Sequence, residues 1–285
     1  MNLQRTDNPA NENTERVRNH FALHSSAWGN RYGALPSSMA DLDLALRREC
    51  VHRLLWPILN DAGRKLRVID VGCGTGDVLD GLPRDLMQVT GVDFVREMAL
   101  VAGQTHPADR FITADATALP FRDNSADVVT SLGMFEYLAK PADALRSIHH
   151  TLKPGGCLIA SFPNRLSVFR KLLNFERAAE GLIHGLRSRG ANPAVEALQT
   201  TKYMHTQWTV GQARRMLRAA GFDVENVLMH TMGPWGRLGR LKHVLRLSRF
   251  TSRWMMNNRG LSPWFASTMV IRARKQATTG KRRRC

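Results

Sequence analysis

Short β-branched runs alternate with helical segments between residues 66 and 163, and this alternation constrains the fold more than any other feature of the chain. The predicted strands in this region are 66–71, 87–92, 111–113, 127–131 and 157–162. Strands that are separated by helices form parallel sheets with helices packed on both faces. The pattern therefore predicts a doubly wound α/β fold.

The remaining segments extend this core into one predicted domain, residues 14–275. After residue 163 the pattern predicts helical segments at 165–200, 209–220 and 237–256, and two final strands at 222–229 and 267–272. The predicted parts are a helical lid (14–59), the core (60–163), helical insertions on the substrate side (164–208 and 232–265), and tails expected to be disordered (1–13 and 276–285).

The charge of the chain is unusual for its length. Forty-one Lys and Arg against 24 Asp and Glu give 285 residues a formal net charge of +17, with most of the surplus after Arg165. Such an excess favours anionic partners, namely nucleic acid, an anionic membrane surface or a phosphorylated or CoA-linked substrate. Four cysteines without paired spacing and the lack of a long apolar run argue against a disulfide framework, a zinc site or a membrane span. We expect a cytoplasmic protein.

A glycine-rich loop closes the first predicted strand, in the sequence Asp70-Val-Gly-Cys-Gly-Thr-Gly76. Glycines let the backbone turn sharply and approach a ligand closely, and a following helix N-terminus is expected to favour negative charge. A dinucleotide fingerprint would need a glycine at position 77, where the chain has Asp77. A carboxylate is a poor neighbour for a pyrophosphate but is compatible with a sulfonium and an ammonium. A chance glycine-rich turn is the alternative.

Two further carboxylates fall at the ends of the next predicted strands. Asp93 could accept hydrogen bonds from the two hydroxyls of a ribose, as strand-end carboxylates do in doubly wound nucleotide sites. Asp115, in Thr113-Ala-Asp-Ala116, could accept a hydrogen bond from an adenine amino group. Each aspartate could instead cap a helix, but three strand ends with the same feature favour a nucleoside site.

These motifs resemble the class I S-adenosylmethionine-dependent methyltransferases, over about residues 60–275. The similar segments are Asp70–Gly76, Gly91-Val-Asp-Phe94, Ala114-Asp-Ala116, the fourth-strand segment 125–136 and Leu152-Lys-Pro-Gly-Gly156. The resemblance implies a mostly parallel seven-stranded sheet with an antiparallel last strand, and S-adenosylmethionine as cofactor. It also implies the cofactor-binding residues, which are Asp70, Gly72, Cys73, Gly74, Gly76, Asp93, Phe94, Asp115, Ala116, Ser131 and Leu132.

The segment before the core is similar to the lid of small-molecule methyltransferases of the quinone-biosynthesis and magnesium-protoporphyrin types. Its aromatic residues include Trp28 and Tyr32, which could pack beside a sulfonium. Packing of a helix on the sheet is the alternative role for both.

Methyl transfer needs a base only when the acceptor must lose a proton, and two residues are candidates. His205 precedes the predicted helix 209–220, and Glu136 follows the fourth strand. The similar quinone enzymes have a histidine beside that acidic residue, where this chain has Tyr137, so no metal is predicted. His149 and His150 are interpreted as a helix end or a surface pair.

A helical stripe of Lys242, Arg246, Arg249 and Arg253 lies beside a stripe of apolar residues that includes Leu241 and Leu245. This arrangement predicts an interfacial helix or the wall of an amphiphilic pocket, with a solvated basic rim as the alternative. The first hypothesis is transfer to an oxygen of a lipid-, quinone-, carrier- or sugar-linked small molecule, with peripheral contact to the inner face of a membrane.

The second hypothesis is a nucleic-acid methyltransferase, which the positive charge would favour. The fourth-strand loop, Gly133-Met-Phe-Glu136, lacks the Asn/Asp-Pro-Pro-Tyr sequence of enzymes that grip a flipped base, and no RNA-binding module is recognisable. We therefore favour the small-molecule hypothesis.

Overall fold

The computed structural model describes residues 9–33, 35–173, 205–235, 238–257 and 262–276. Its strands form one seven-stranded sheet in the order β3-β2-β1-β4-β5-β7-β6. Strand β7 is antiparallel to β5 and β6, and the pairs among β1–β5 are parallel. The predicted fold class is confirmed. The strands are β1 (Leu66–Val71), β2 (Met87–Asp93), β3 (Arg110–Thr113), β4 (Ala126–Ser131), β5 (Leu152–Pro163), β6 (Phe222–His230) and β7 (Thr268–Lys275).

Helices cover both faces of this sheet. Each face carries its own buried cluster of apolar residues. Val128 and Val129, which are neighbours on β4, point to opposite faces and belong to different clusters. The cluster of Val128 includes side chains of α2 and α6, and the cluster of Val129 includes those of α4 and α5. The longer helices are α1 (Pro9–Trp28), α2 (Met39–Asp61), α3 (Arg96–Thr105), α4 (Pro141–Thr151), α5 (Val210–Ala219) and α6 (Lys242–Asn257).

Local sequence explains where α5 begins and ends. Thr209 and Gln212 form a reciprocal capping box, with N–H···O distances of 3.1 and 2.9 Å. Gly221 follows at φ 87°, a left-handed conformation that costs glycine little. A Cβ atom at that position would lie 2.7 Å from Nε2 of His149, so both backbone and space require glycine.

The structure differs from the sequence-based expectations at several element boundaries. Helix α1 begins at Pro9, so part of the segment 1–13 is helical, and proline is well suited to the first helical turn. The glycine loop is followed by a single 3-10 turn, Asp77–Leu79, and not by an α-helix. Strand β5 begins at Leu152, five residues before the predicted start at 157, because an irregular register beside β4 accommodates the extra residues.

Some predictions concern residues that the structure leaves undescribed. Of the predicted helical segment 165–200, the part at 168–173 is helical, and 174–200 lies outside the described residues. The basic tail beyond residue 276 is also outside them. The predicted segment 237–256 contains the 3-10 turn Leu238–Arg240 followed by α6. Within the described ranges, we find no helix whose length and apolarity would suffice to cross a bilayer.

Candidate active site

A cavity of about 360 Å³ opens at the carboxyl ends of β1, β2 and β4. Its size falls in the range of roughly 300–1,000 Å³ that is typical of small-molecule sites. Most of the predicted cofactor residues line it, as do both predicted lid residues. These are Gly72, Cys73, Gly74, Asp93, Phe94, Asp115, Ala116, Leu132, Trp28 and Tyr32.

The glycine loop forms one wall and is tied to β2. The backbone N–H groups of Gly72 and Cys73 donate to the carbonyl oxygen of Val92 at 2.7 and 3.1 Å. Gly72 has φ 73°, and a Cβ atom there would lie 2.8 Å from Cβ of Met134. The loop therefore needs glycine at position 72 for both its conformation and its packing.

Asp93 holds the loop and faces the cavity. Its Oδ2 accepts a hydrogen bond from the Gly74 N–H at 2.8 Å, and its Oδ1 accepts one from the Val95 N–H at 2.8 Å. Each carboxylate oxygen can accept a second hydrogen bond, so the hydroxyls of a ribose could still be bound. Burial raises the pKa of Asp93, although these backbone donors oppose the shift.

Asp115 also lines the cavity, and it caps the 3-10 turn Ala116–Ala118. Both the N–H and the hydroxyl of Thr117 donate to its Oδ1 at 2.8 Å. The capping role that the sequence left open is therefore present at this position. It does not prevent Oδ2 from accepting a hydrogen bond from an adenine amino group.

Three of the predicted cofactor residues do not line the cavity. Asp70 is buried beneath the loop, where it accepts a hydrogen bond from the Thr130 hydroxyl at 2.6 Å. Burial raises the pKa of Asp70 to about 7. Gly76 packs against His106 instead, and Ser131 is buried with its hydroxyl 3.8 Å from the sulfur of Met134. These residues support the wall of the cavity from behind.

Helix α1 covers the cavity from outside the sheet. Phe21 packs edge-to-face against Trp28 and Tyr137, with ring centroids 5.1 and 5.4 Å apart. The Arg18 guanidinium lies 4.1 Å from the centroid of the Phe94 ring, a cation–π geometry. Trp28 and Tyr32 line the cavity together with Phe21, and we refer to these three aromatic residues as the aromatic lid.

The two candidate catalytic residues lie beside each other. Nε2 of His205 is 3.9 Å from Oε1 of Glu136, and the Thr206 N–H donates to the Glu136 carbonyl oxygen at 2.9 Å. Neither residue lines the cavity, but Tyr137, which does, packs edge-to-face on the His205 ring at 5.4 Å. The site is therefore adjacent to the cavity wall.

Glu136 is almost completely buried, and within the described part of the chain its Oε2 has no hydrogen-bond partner. Burial raises the pKa of this carboxyl, and Arg47 opposes the shift from 3.5 Å. Sequence reasoning missed Arg47, because an arginine in the middle of a helix normally indicates the solvent side. It also missed Met98 and Lys140 on the cavity wall.

The histidine pair at the end of α4 lies outside this site. The His149 ring packs edge-to-face on Phe222 at 5.3 Å, and the His149 carbonyl accepts a hydrogen bond from the Lys275 ammonium at 2.7 Å. His150 is exposed. Both observations agree with the interpretation of a helix end and a surface residue.

The residues that line the cavity fit a cationic nucleoside. Of its charged lining residues two are acidic, Asp93 and Asp115, and one is basic, Lys140. The lid adds aromatic faces, which attract a sulfonium more than a pyrophosphate. Position 77 carries an aspartate that hydrogen-bonds the Thr75 hydroxyl, so the loop lacks the third glycine of a dinucleotide site.

Comparisons with known proteins agree with this geometry. Residues 69–160 match a methyltransferase domain family. The chain is 30% identical over 183 residues to a ubiquinone biosynthesis O-methyltransferase of Xylella fastidiosa strain M23. The aligned region covers 61% of this chain and 68% of that protein. It is 38% identical over 95 residues to a demethylmenaquinone methyltransferase of Renibacterium salmoninarum, which covers 33% of this chain and only 40% of that protein.

The fold is also that of a solved methyltransferase. Magnesium protoporphyrin IX methyltransferase from Synechocystis PCC 6803 matches 92% of this chain and 100% of its own chain, at 17% identity and a TM-score of 0.60. Sheet order, glycine loop and strand-end carboxylate define a nucleoside-binding α/β enzyme. The chain belongs to the class I methyltransferases, which take their methyl group from S-adenosylmethionine.

Proposed function

We propose that this enzyme methylates an oxygen atom of a small amphiphilic acceptor, such as a lipid-, quinone-, carrier- or sugar-linked molecule. The observation that carries the proposal is the His205–Glu136 pair beside the cavity wall, with 3.9 Å between Nε2 and Oε1. Hydroxyl acceptors need a base because a hydroxyl is a weak nucleophile until it loses its proton. The ubiquinone-biosynthesis relative is named an O-methyltransferase, which supports the same acceptor atom.

S-adenosylmethionine supplies an electrophilic methyl carbon to this site when it is bound. We assign the glycine loop to its methionine part, Asp93 to its ribose and Asp115 with Ala116 to its adenine. The aromatic lid would exclude water and hold the acceptor in line with the methyl group. Alignment of this kind can contribute about 7–11 kcal/mol to catalysis.

His205 is the better candidate for the proton acceptor. Its side chain is 28% exposed, whereas that of Glu136 is 1% exposed, so the imidazole is the group that an acceptor can reach. The hydroxyl proton would pass to His205 as the acceptor oxygen bonds to the methyl carbon and the carbon–sulfur bond breaks. Glu136 would stabilise the resulting imidazolium, as a buried carboxylate does beside the catalytic histidine of other enzymes.

The test is a transfer assay with three acceptors that represent the competing classes. The enzyme is incubated with methyl-labelled S-adenosylmethionine and a prenylated catechol in detergent, a malonylated acyl carrier protein, or unmodified transfer RNA. Label on either of the first two supports the proposal, and loss of the catechol label in His205→Ala supports the base. Label on the RNA alone would establish the nucleic-acid alternative.

We also propose peripheral contact with an anionic membrane through α6. The outward face of this helix carries Leu247 and Phe250, which are 64% and 71% exposed. Lys242, Arg246 and Arg249 are exposed on the flank of this apolar stripe. Apolar groups that insert at an interface and cations that attract anionic headgroups are the two requirements of such a helix.

The geometry of α6 changes two details of the sequence-based hypothesis. Leu245 is buried in the core and is not part of an exposed apolar stripe. Arg253 pairs with Glu49 on α2 at 2.8 Å, so its charge is partly used within the protein. The proposed membrane surface therefore consists of Leu247 and Phe250 with three flanking cations.

A further inference from the structure

Asp43, on α2, is the most heavily hydrogen-bonded buried carboxylate near the site. Its Oδ1 accepts hydrogen bonds from the hydroxyls of Thr231 and Thr268 at 2.7 and 2.8 Å. Its Oδ2 lies 2.7 Å from both Nε and Nη2 of Arg47. Burial opposes ionisation, but these partners and the nearby cations hold the pKa of Asp43 well below its usual range. Asp43 is therefore expected to be ionised at neutral pH.

Arg47 is shared unequally between two carboxylates. Two of its guanidinium nitrogens face Asp43 at 2.7 Å, and the third, Nη1, lies 3.5 Å from Oε1 of Glu136. Paired, charge-assisted hydrogen bonds of the kind that Asp43 makes are strong, whereas a contact of 3.5 Å is weak. The interaction of Arg47 with Glu136 is therefore weaker than its interaction with Asp43.

Glu136, the carboxylate with the weaker contact to Arg47, also has an incomplete set of hydrogen-bond partners among the described residues. In the part of the chain that the structure describes, Oε2 of this carboxyl has no hydrogen bond although it is buried. A buried carboxylate without full hydrogen bonding binds a proton more tightly than an exposed one. The arrangement suits a group that must stabilise a proton on its neighbour His205.

We propose that Asp43 is a positioning residue of methyl transfer, which holds Arg47 away from Glu136 and thereby keeps the Glu136 carboxylate available to His205, whose Nε2 lies 3.9 Å from Oε1. The inference rests on the proposed role of the His205–Glu136 pair. Asp43 itself does not line the cavity, and it acts through Arg47.

Other charged groups around Glu136 do not replace this control. Arg170, from the helical turn at 168–173, is buried, but its Nε donates to the Ser267 carbonyl oxygen at 2.6 Å. His205 faces the same carboxyl from the segment before α5, at 3.9 Å. Arg47 is the cation in direct contact with Glu136 among the described residues. Burial raises the pKa of Glu136, and the pairing of Arg47 with Asp43 limits how far this cation opposes that shift.

The backbone around Asp43 indicates that the carboxylate is built into the site at some cost. Thr231, whose hydroxyl donates to Asp43, has φ 62°, a left-handed conformation that is unfavourable for a β-branched residue. Strained residues of this kind persist where surrounding contacts require them, and they are common at functional sites. The strained turn places a donor directly against Oδ1.

The test is a titration of the Glu136 side-chain carboxyl by ¹³C NMR, with the signal assigned by its loss in Glu136→Gln. In Asp43→Asn the guanidinium is released to Glu136, so we expect the titration midpoint to fall by about one pH unit, a tenfold loss of proton affinity. In Arg47→Lys the compact ammonium pairs with Asp43 and leaves Glu136, so the midpoint should rise. Simple loosening of the core would lower it in both variants.

Asp127→Asn is the matched control, because Asp127 is a buried carboxylate that pairs with Lys153 at 2.7 Å in another part of the sheet. The Asp127→Asn protein should be less stable, but the titration midpoint of the Glu136 carboxyl should be unchanged. An unchanged midpoint in Asp43→Asn, or shifts of the same sign in both variants, would overturn the proposal. If Asp43→Asn fails to fold, a midpoint in Arg47→Lys that does not rise overturns it. The titration needs no acceptor, so its result is independent of the proposed function.

Discussion

Asp93 and Gly74 are joined by a hydrogen bond of 2.8 Å from the glycine N–H to the carboxylate Oδ2. Asp93, which we assign to the ribose, therefore also holds the glycine loop that follows β1, the strand next to its own. Under this assignment, binding of the nucleoside and the shape of the glycine loop would depend on the same side chain.

The change Asp93→Asn should weaken binding of S-adenosylmethionine. An amide nitrogen at either position would meet the N–H of Gly74 or Val95, and a carboxylate acceptor would be lost. A charged hydrogen bond of this kind is worth about 2 kcal/mol, so the dissociation constant should rise roughly 30-fold. Calorimetry measures the change, with Asp109→Asn, which pairs with Arg84, as the control. Equal affinity in both variants would contradict the assignment.

The change Gly72→Ala should destabilise the protein more than Gly63→Ala. Both glycines have left-handed φ angles, 73° and 61°, so the backbone cost of alanine is similar. A Cβ at position 72 would lie 2.8 Å from Cβ of Met134, whereas one at position 63 has no atom within 4 Å. We expect the free energy of unfolding to differ by about 1–3 kcal/mol between the two variants in urea titrations. Equal values would show that the loop can move aside.

The change His205→Ala should lower kcat by roughly 10²–10⁴-fold while the affinity for S-adenosylmethionine stays the same. The imidazole is outside the cofactor cavity, so only the transfer step should depend on it. His150→Ala, at an exposed histidine, is the control. Full turnover of His205→Ala with an identified acceptor would eliminate this residue as the base.

His230 should make the protein sensitive to mild acid. Burial lowers the pKa of this histidine to about 4, so the folded state resists a proton that the unfolded chain binds near pH 6.5. The contribution of His230 to the free energy of unfolding should be complete above pH 6.5 and should fall by up to about 3 kcal/mol as the pH drops toward 4. Urea titrations at several pH values measure this. His230→Asn should flatten the dependence over that window, and an unchanged slope would assign the acid sensitivity to other groups.

Replacement of Leu247 and Phe250 by serine should reduce sedimentation with phosphatidylglycerol vesicles. Each large apolar side chain that enters the interface is worth about 1.5–3 kcal/mol. Leu100→Ser, at another exposed leucine, on α3, is the control, since Leu100 is 51% exposed and lies away from α6. Sedimentation that persists in the double variant, or that is equal with zwitterionic vesicles, would eliminate α6 as the membrane surface.

Local sequence patterns predicted the strands and most of the cavity wall. The reason is physical, because the glycine loop, Asp93 and Asp115 all lie at carboxyl ends of parallel strands, which meet at one edge of the sheet. The position of a residue along a strand therefore gave its position in the site. Asp70 shows the limit of this reasoning, since its side chain turns beneath the loop to Thr130.

Arg47 could not be predicted in the same way. Its role depends on contacts with Asp43 one turn away and with Glu136 after β4, and the second contact exists only when α2 packs on the sheet. The 3-10 turn after the glycine loop escaped prediction for a related reason. The sequence signals a sharp turn there, but the length of the following helix depends on packing around Asp77.

The aromatic lid has a consequence for the opening of the cavity. Phe21 contacts Trp28, at the end of its own helix, and Tyr137, which both line the cavity with it, while Arg18 of the same helix lies over Phe94. One helix thus contacts the cavity wall at Tyr137 and at Phe94, so a movement of α1 would disturb both contacts together. We expect entry and departure of the nucleoside to require a displacement of this helix.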